Sequence, residues 1–61
     1  MADIKQAAKW AREGRRVESR DSGRRHAIYM SEFEIFYDAI TGARVYFGLA
    51  DLLADDWEIA E

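Results

Sequence analysis

The sequence predicts an α+β fold in which one N-terminal helix packs on a four- to five-stranded antiparallel sheet. Three observations carry that reading. Apolar residues recur at helical spacing from Ile4 to Ala11, the period changes to alternation after Gly14, and small turn residues then separate short aromatic-rich runs. With 61 residues the chain has room for one domain spanning 1–61 and one small core. A chain of this size buries only roughly 60% of the surface its unfolded form exposes. It has no cysteine and a single histidine, His26, so neither a disulfide nor a thiolate metal site can staple it, and oligomerisation is the remaining common remedy.

Asp3 precedes the helical stretch and Gln6 follows three places on, so each side chain can satisfy a free backbone N–H at a helix start. The helix is expected over 4–13, with Ile4, Ala7, Ala8 and Ala11 on its inner stripe and Gly14 as the left-handed residue that ends it. Trp10 falls off that stripe and should lap over the edge of the core. Arg16 to Ser19 reads as the first strand, and Asp21-Ser22-Gly23 as a turn. The second, third and fourth strands are expected over His26–Met30, Phe33–Tyr37 and Ala43–Phe47, with Thr41-Gly42 as turn chemistry between the last two. A turn over Leu49–Ala54 leads to a fifth strand over Asp56–Ala60.

Alternation assigns Val17, Ile28, Met30, Phe33, Ile35, Tyr37, Val45 and Phe47 to the face under the helix. The opposite face receives Glu18, Glu34 and Arg44, but also Tyr29, Phe36 and Tyr46. Three aromatics on the nominally wet side of a small sheet predict that this side is covered. A second copy of the chain is the expected cover, with Leu52, Leu53 and Trp57 folding back, or a ligand, as the other occupants.

Charge divides the chain more sharply than the net −3 suggests. Residues 1–25 hold eight Lys/Arg against four Asp/Glu, whereas residues 26–61 hold Arg44 alone against eight acids, giving +4 and −7. The halves can attract each other within the fold or across a dimer, or they can meet phosphates and a nucleic-acid-binding protein respectively. Extended duplex nucleic acid is disfavoured by the acidic balance and a pI near 5.0. No apolar run approaches the roughly 20 residues of a membrane span, and no signal peptide is legible, so cytoplasmic residence is expected.

Catalysis is not expected. Ser19, Ser22, Ser31 and Thr41 lie at strand ends or turns rather than in a nucleophile elbow, and only His26 exists to activate any of them. No cofactor motif is present: the four glycines stand singly at element boundaries. Asp51, Asp55 and Asp56 could in principle gather a divalent ion, but acids that cap a turn and solvate a surface account for them, and no metal is expected. The arginines are the better chemistry. Arg15, Arg16, Arg20, Arg24 and Arg25 bracket one hairpin, and their forks match phosphate oxygens two at a time, or the acids of a neighbouring protomer.

The ending Asp51-Leu52-Leu53-Ala54-Asp55-Asp56-Trp57-Glu58-Ile59 resembles the C-terminus of a family of short phage proteins that includes the Thoeris anti-defence sponge proteins and a type II anti-CRISPR. The outline agrees, from Ile4-Lys5-Gln6-Ala7-Ala8 through Gly14-Arg15-Arg16-Val17 and Ile28-Tyr29-Met30 to Thr41-Gly42-Ala43-Arg44-Val45. The resemblance implies an oligomeric counter-defence protein of the infected bacterial host's cytoplasm. Sponge members hold a cyclic nucleotide immune signal between subunits without cleaving it. Asp51 stands where the family places a polar contact to the ligand; the family's Gly-Trp wall after the first strand reads Asp21-Ser22 here.

On that basis Arg16, Arg20 and Arg24 are expected to face phosphates, Tyr29 or Tyr46 to stack a base, and Asp51 to accept hydrogen bonds from base or ribose. The alternative expectation is an anti-CRISPR that binds a CRISPR effector directly, with Glu32, Glu34, Asp38 and Asp55 imitating a nucleic-acid backbone. A phage structural protein without an immune role is the third.

Overall fold

A computed structural model of the chain describes residues 2–60 and is an α+β fold: one N-terminal helix, a second short helix and a four-stranded antiparallel sheet. The first helix, α1, spans Ile4–Arg12. Asp3 starts it by accepting a hydrogen bond from the Gln6 amide at 3.0 Å. At its end Gly14 takes φ +87, which lets the Gly14 amide reach the Ala11 carbonyl and the Arg15 amide reach the Trp10 carbonyl, a paired closure that satisfies carbonyls left open by the last turn. Ala7 and Ala11 are its buried residues, and Ile4 and Trp10 pack against the core from its flanks. Small side chains on the inner stripe let the helix sit close to the sheet.

The strands are β1 (Val17–Glu18), β2 (Ile28–Met30), β3 (Phe36–Asp38) and, after helix α2 (Leu49–Leu53), β4 (Glu58–Ile59). Their order in the sheet is β3-β2-β1-β4, antiparallel throughout. Val17, Ile28, Trp57, Ala7 and Ala54 make the buried cluster, with Phe36, Val45 and Phe47 packed against it. The C-terminal strand therefore closes the sheet beside the first one, and Trp57, which leads into it, fills the centre of the core.

Several expectations are corrected. The third strand begins at Phe36 rather than Phe33, because residues 31–35 form a tight turn. The Ser31 hydroxyl accepts from the Phe33 and Ile35 amides, the Ser31 amide donates to the Ile35 carbonyl, and Glu34 sits at φ 62. That break shifts the alternation by one residue, and a shift of one exchanges the two faces. Phe36 thus turns inward, with its ring edge-on to Phe47 at 4.8 Å, while Tyr37 turns outward and stacks on Tyr29 at 5.9 Å. Phe33, expected in the core, stands exposed at the turn.

The segment expected as the fourth strand, Ala43–Phe47, meets β3 at a single bridge between Tyr37 and Arg44 and is not a strand. Hydrogen bonds from the Asp38 amide to the Ala43 carbonyl and from the Val45 amide to the Phe36 carbonyl flank that bridge. Beyond it the segment leaves the sheet, because Phe47 turns onto Phe36 and the Tyr46 carbonyl is drawn to Arg24. Trp57 does not fold over the outer face, since it is in the core, and Leu52 and Leu53 are exposed. Among the described residues no helix is long and apolar enough to cross a membrane.

Candidate binding site

The loop between β1 and β2 carries the arginines, and two carboxylates from the far end of the chain hold it in place. Ser19, buried at the end of β1, donates its hydroxyl to Asp56 Oδ1, and the amides of Arg20 and Asp21 donate to Asp56 Oδ2 at 3.1 and 3.2 Å. Ser19 also accepts from the Ser22 amide, while the Ser22 hydroxyl bonds back to the Ser19 carbonyl at 2.8 Å. The Ser19 hydroxyl is the largest influence holding the Asp56 carboxyl below its ordinary range, and the two amides add to it. An ionised Asp56 thus pins the turn that presents Arg20.

Arg24 is fixed by the second carboxylate. Its Nε and Nη2 approach Asp51 Oδ1 and Oδ2 at 2.6 and 3.1 Å, its Nη2 donates to the Tyr46 carbonyl at 2.8 Å, and its guanidinium lies 5.7 Å from the Phe47 ring centroid. Asp51 is buried, accepts from the Gly48 amide at 2.8 Å, and offers its own carbonyl to the Trp57 indole N–H at 3.2 Å. One residue therefore ties α2, the arginine loop and the central tryptophan together.

The result is a cleft of about 250 Å³ lined by Glu18, Ser19, Arg20, Arg24, Arg25 and Glu58. Glu18 and Glu58 are direct partners across β1 and β4, where like charges repel, and the arginines lining the same cleft offset that repulsion. With Arg24 already paired to Asp51, the remaining charges of the cleft, Arg20 and Arg25 against Glu18 and Glu58, balance.

The structure brings Arg20 and Arg24 together at this cleft and leaves the other sequence-derived ligand residues apart. Both Asp51 carboxylate oxygens are engaged inside the protein, so its place is behind Arg24 rather than toward a ligand. Arg16 is exposed, and its carbonyl accepts from the Ala60 amide. Tyr29 lies on the outer sheet face against Tyr37, and the exposed Tyr46 ring is covered on one side by Arg44 at 5.0 Å. Sequence reasoning missed the parts played by Ser19 and Asp56, whose only signal was a hydroxyl at a strand end and an acid before a tryptophan.

The acidic set divides likewise. Glu32 and Glu34 share a second cleft, of about 300 Å³, with Ala11, Arg12, Gly14, Met30 and Ser31. Asp38 instead turns into its own loop, where Oδ1 accepts from the Ile40 and Thr41 amides at 2.7 and 2.8 Å and Oδ2 lies 3.0 Å from His26 Nδ1. The Thr41 amide is the main reason its carboxyl falls to about 2, with the Ile40 amide and His26 assisting. Asp55 is exposed beyond α2. Among the described residues no group of three or more His, Cys, Asp or Glu side chains is placed to hold a metal ion. Compared with protein-family models, curated proteins and solved structures, this chain matches none of them.

Proposed function

We propose that the chain is a non-catalytic counter-defence protein that binds and sequesters a cyclic nucleotide signal, with Arg20 and Arg25 meeting the phosphates beside the Asp51-held Arg24. The observation that supports this most is the arginine-lined cleft beside β1, whose loop is held by Ser19 and Asp56 and whose Arg24 is oriented by Asp51. Its volume of about 250 Å³ falls below the roughly 300–1,000 Å³ of sites that enclose small ligands. Its charges also balance without a ligand. A nucleotide with two phosphates therefore needs a second wall and further positive charge, and a second copy of the chain supplies both. Asp51 acts in this reading through Arg24, and an exposed ring such as Tyr46 stacks the base. The resemblance of the Asp51–Ile59 ending to the sponge proteins selects a cyclic nucleotide among anionic ligands.

Thermal melting of the purified chain with a panel of cyclic mono- and dinucleotides tests the proposal. A ligand at a hundred times its dissociation constant stabilises the folded state by about 2.7 kcal/mol. Replacing Arg20 and Arg25 by alanine should abolish the shift, measured from that variant's own ligand-free melt, which the uncompensated Glu18–Glu58 pair lowers. No shift with any member of the panel defeats the reading. The second reading, direct binding of a CRISPR effector, draws on Glu32 and Glu34, which stand exposed at the rim of the other cleft. Salt-sensitive co-purification with an effector, lost in Glu32→Lys and Glu34→Lys, would favour it.

A further inference from the structure

The face of the sheet turned away from α1 carries a row of side chains whose order is set by the strand pairing. Val17 is buried and pairs with Ile28, so the next step of that antiparallel register sets the exposed Arg16 opposite Tyr29 on the outer face. Tyr29 pairs in turn with Tyr37, and Tyr37 bridges to Arg44. Across the sheet the row is therefore Arg16, Tyr29, Tyr37, Arg44. The two rings stack at 5.9 Å with 30° between their planes, and Tyr29 is 38% exposed. The Arg44 guanidinium is held 5.0 Å over the exposed Tyr46 ring. Among the described residues neither arginine of the row has a carboxylate partner.

We propose that this row is a platform for single-stranded nucleic acid, with Tyr29 and Tyr37 stacking two successive bases and Arg16 and Arg44 meeting the phosphates on either side. A base of any kind has a face that stacks on an aromatic ring, and a guanidinium beside the ring neutralises the backbone. The row crosses three strand spacings, roughly 14 Å. Open sheets that present two or three aromatic rings hold two or three unpaired bases in the same way.

Charge and shape select this occupant. The row offers flat rings and cations and no branched aliphatic side chain, which suits planar bases joined by phosphates better than it suits the apolar centre of a protein interface. Glu18 and Glu58, paired with each other on the same face, repel phosphate and so confine the backbone to the arginine row. A duplex keeps its base faces stacked inside, and it presents many phosphates at once to a protein of net charge −3. Two phosphates against two unpaired arginines is a smaller demand. The platform uses none of the cleft arginines, so it stands whether or not a cyclic nucleotide binds there.

Titrating the isotope-labelled chain with oligothymidine, oligouridine and a blunt DNA duplex, followed by amide resonances and by fluorescence anisotropy of the labelled strand, tests it. Either single strand should shift the resonances around Arg16, Tyr29, Tyr37 and Arg44, and the ratio of their affinities assigns DNA or RNA. Tyr37→Leu should weaken binding by about tenfold while Tyr37→Phe keeps it, because the ring face and not the hydroxyl is used. With two phosphates neutralised, the logarithm of the affinity should fall against the logarithm of salt with a slope of about −1.4, reduced to about −0.7 in Arg16→Gln. Arg16 is exposed, so that variant serves if Tyr37→Leu unsettles the sheet by circular dichroism. No resonance shift with either single strand overturns the proposal and leaves the face to a protein partner. So do duplex binding as tight as single-strand binding, shifts confined to the Arg20–Arg25 cleft, or a folded Tyr37→Leu that binds like the wild type.

Discussion

Replacing Arg24 by methionine keeps most of the side chain's length but removes the partner of Asp51, and the structure sets the size of the loss. The Asp51 side chain is 6% exposed and the Arg24 side chain 25%. Without the guanidinium, the carboxylate keeps only the Gly48 amide as a charge-stabilising neighbour, and the Tyr46 carbonyl loses its donor. Removing one member of a buried ion pair costs about 3–5 kcal/mol, and partial access of water to the Arg24 side lowers that to about 2–3 kcal/mol. A chain of this length has a total stability of roughly 3–9 kcal/mol, so the variant loses a large share of it.

At roughly 4–8 °C per kcal/mol for so small a domain, the melting temperature should fall by about 10–20 °C. Urea titration followed by tryptophan emission is the assay, because the Trp57 indole is buried and bonded to the Asp51 carbonyl. Arg24→Met/Asp51→Leu, which leaves no unpaired charge, should recover stability relative to Arg24→Met, with a coupling of about 2 kcal/mol between the two sites. An Arg24→Met midpoint equal to wild type, with the same dependence on urea, would refute the assignment of this pair as the tie between α2 and the arginine loop.

Two further predictions follow from the same accounting of polar groups. Asp38, lowered from 3.8 to about 2, and Asp56, also lowered, contribute stability that is complete above their unfolded values and is lost as pH falls through the folded ones; melting temperature should therefore decline from about pH 5 toward pH 2, and Asp38→Asn or Asp56→Asn should each flatten that decline, whereas unchanged slopes in both would remove the two loops as its source. Gly14→Ala meets no atom within 4 Å, so its cost is the left-handed backbone alone, about 1–2 kcal/mol by thermal melting, with Gly14→Asn costing less; an alanine variant that melts with the wild type would contradict the helix-end geometry.

Local chemistry made α1 legible. The Asp3 cap, the alanine stripe and the left-handed Gly14 act within a few residues, so they could be read in order along the chain and agree with the observed Ile4–Arg12 to one residue. The strands were legible as elements but not in their bounds or facing. Alternation assumes an unbroken register, and Glu34, a glutamate at φ 62, breaks it where no glycine marks the place. Of the three aromatics expected on the outer face, Tyr29 is there with Tyr37 beside it, whereas Phe36 packs against the core and Tyr46 lies in the segment that leaves the sheet.

The site shows the same division. That arginines crowd one hairpin is a property of the sequence, since five of them fall between residues 15 and 25. Which arginine is spent on structure is not, because Arg24 meets an acid 27 residues away and Ser19 one 37 residues away. The sequence by itself determined the first helix, the turns at Asp21–Gly23 and Thr41–Gly42, the strand around Ile28–Met30, the small core and the opposed charge of the two halves, because each follows from side-chain size, polarity or backbone freedom at nearby positions. Only the tertiary structure decided that β4 lies beside β1, that Trp57 fills the core and that Asp51 faces inward to Arg24 while the leucines of α2 face out. Those outcomes come from pairings between distant segments, where burying an indole and satisfying a carboxylate outweigh any local preference of the chain.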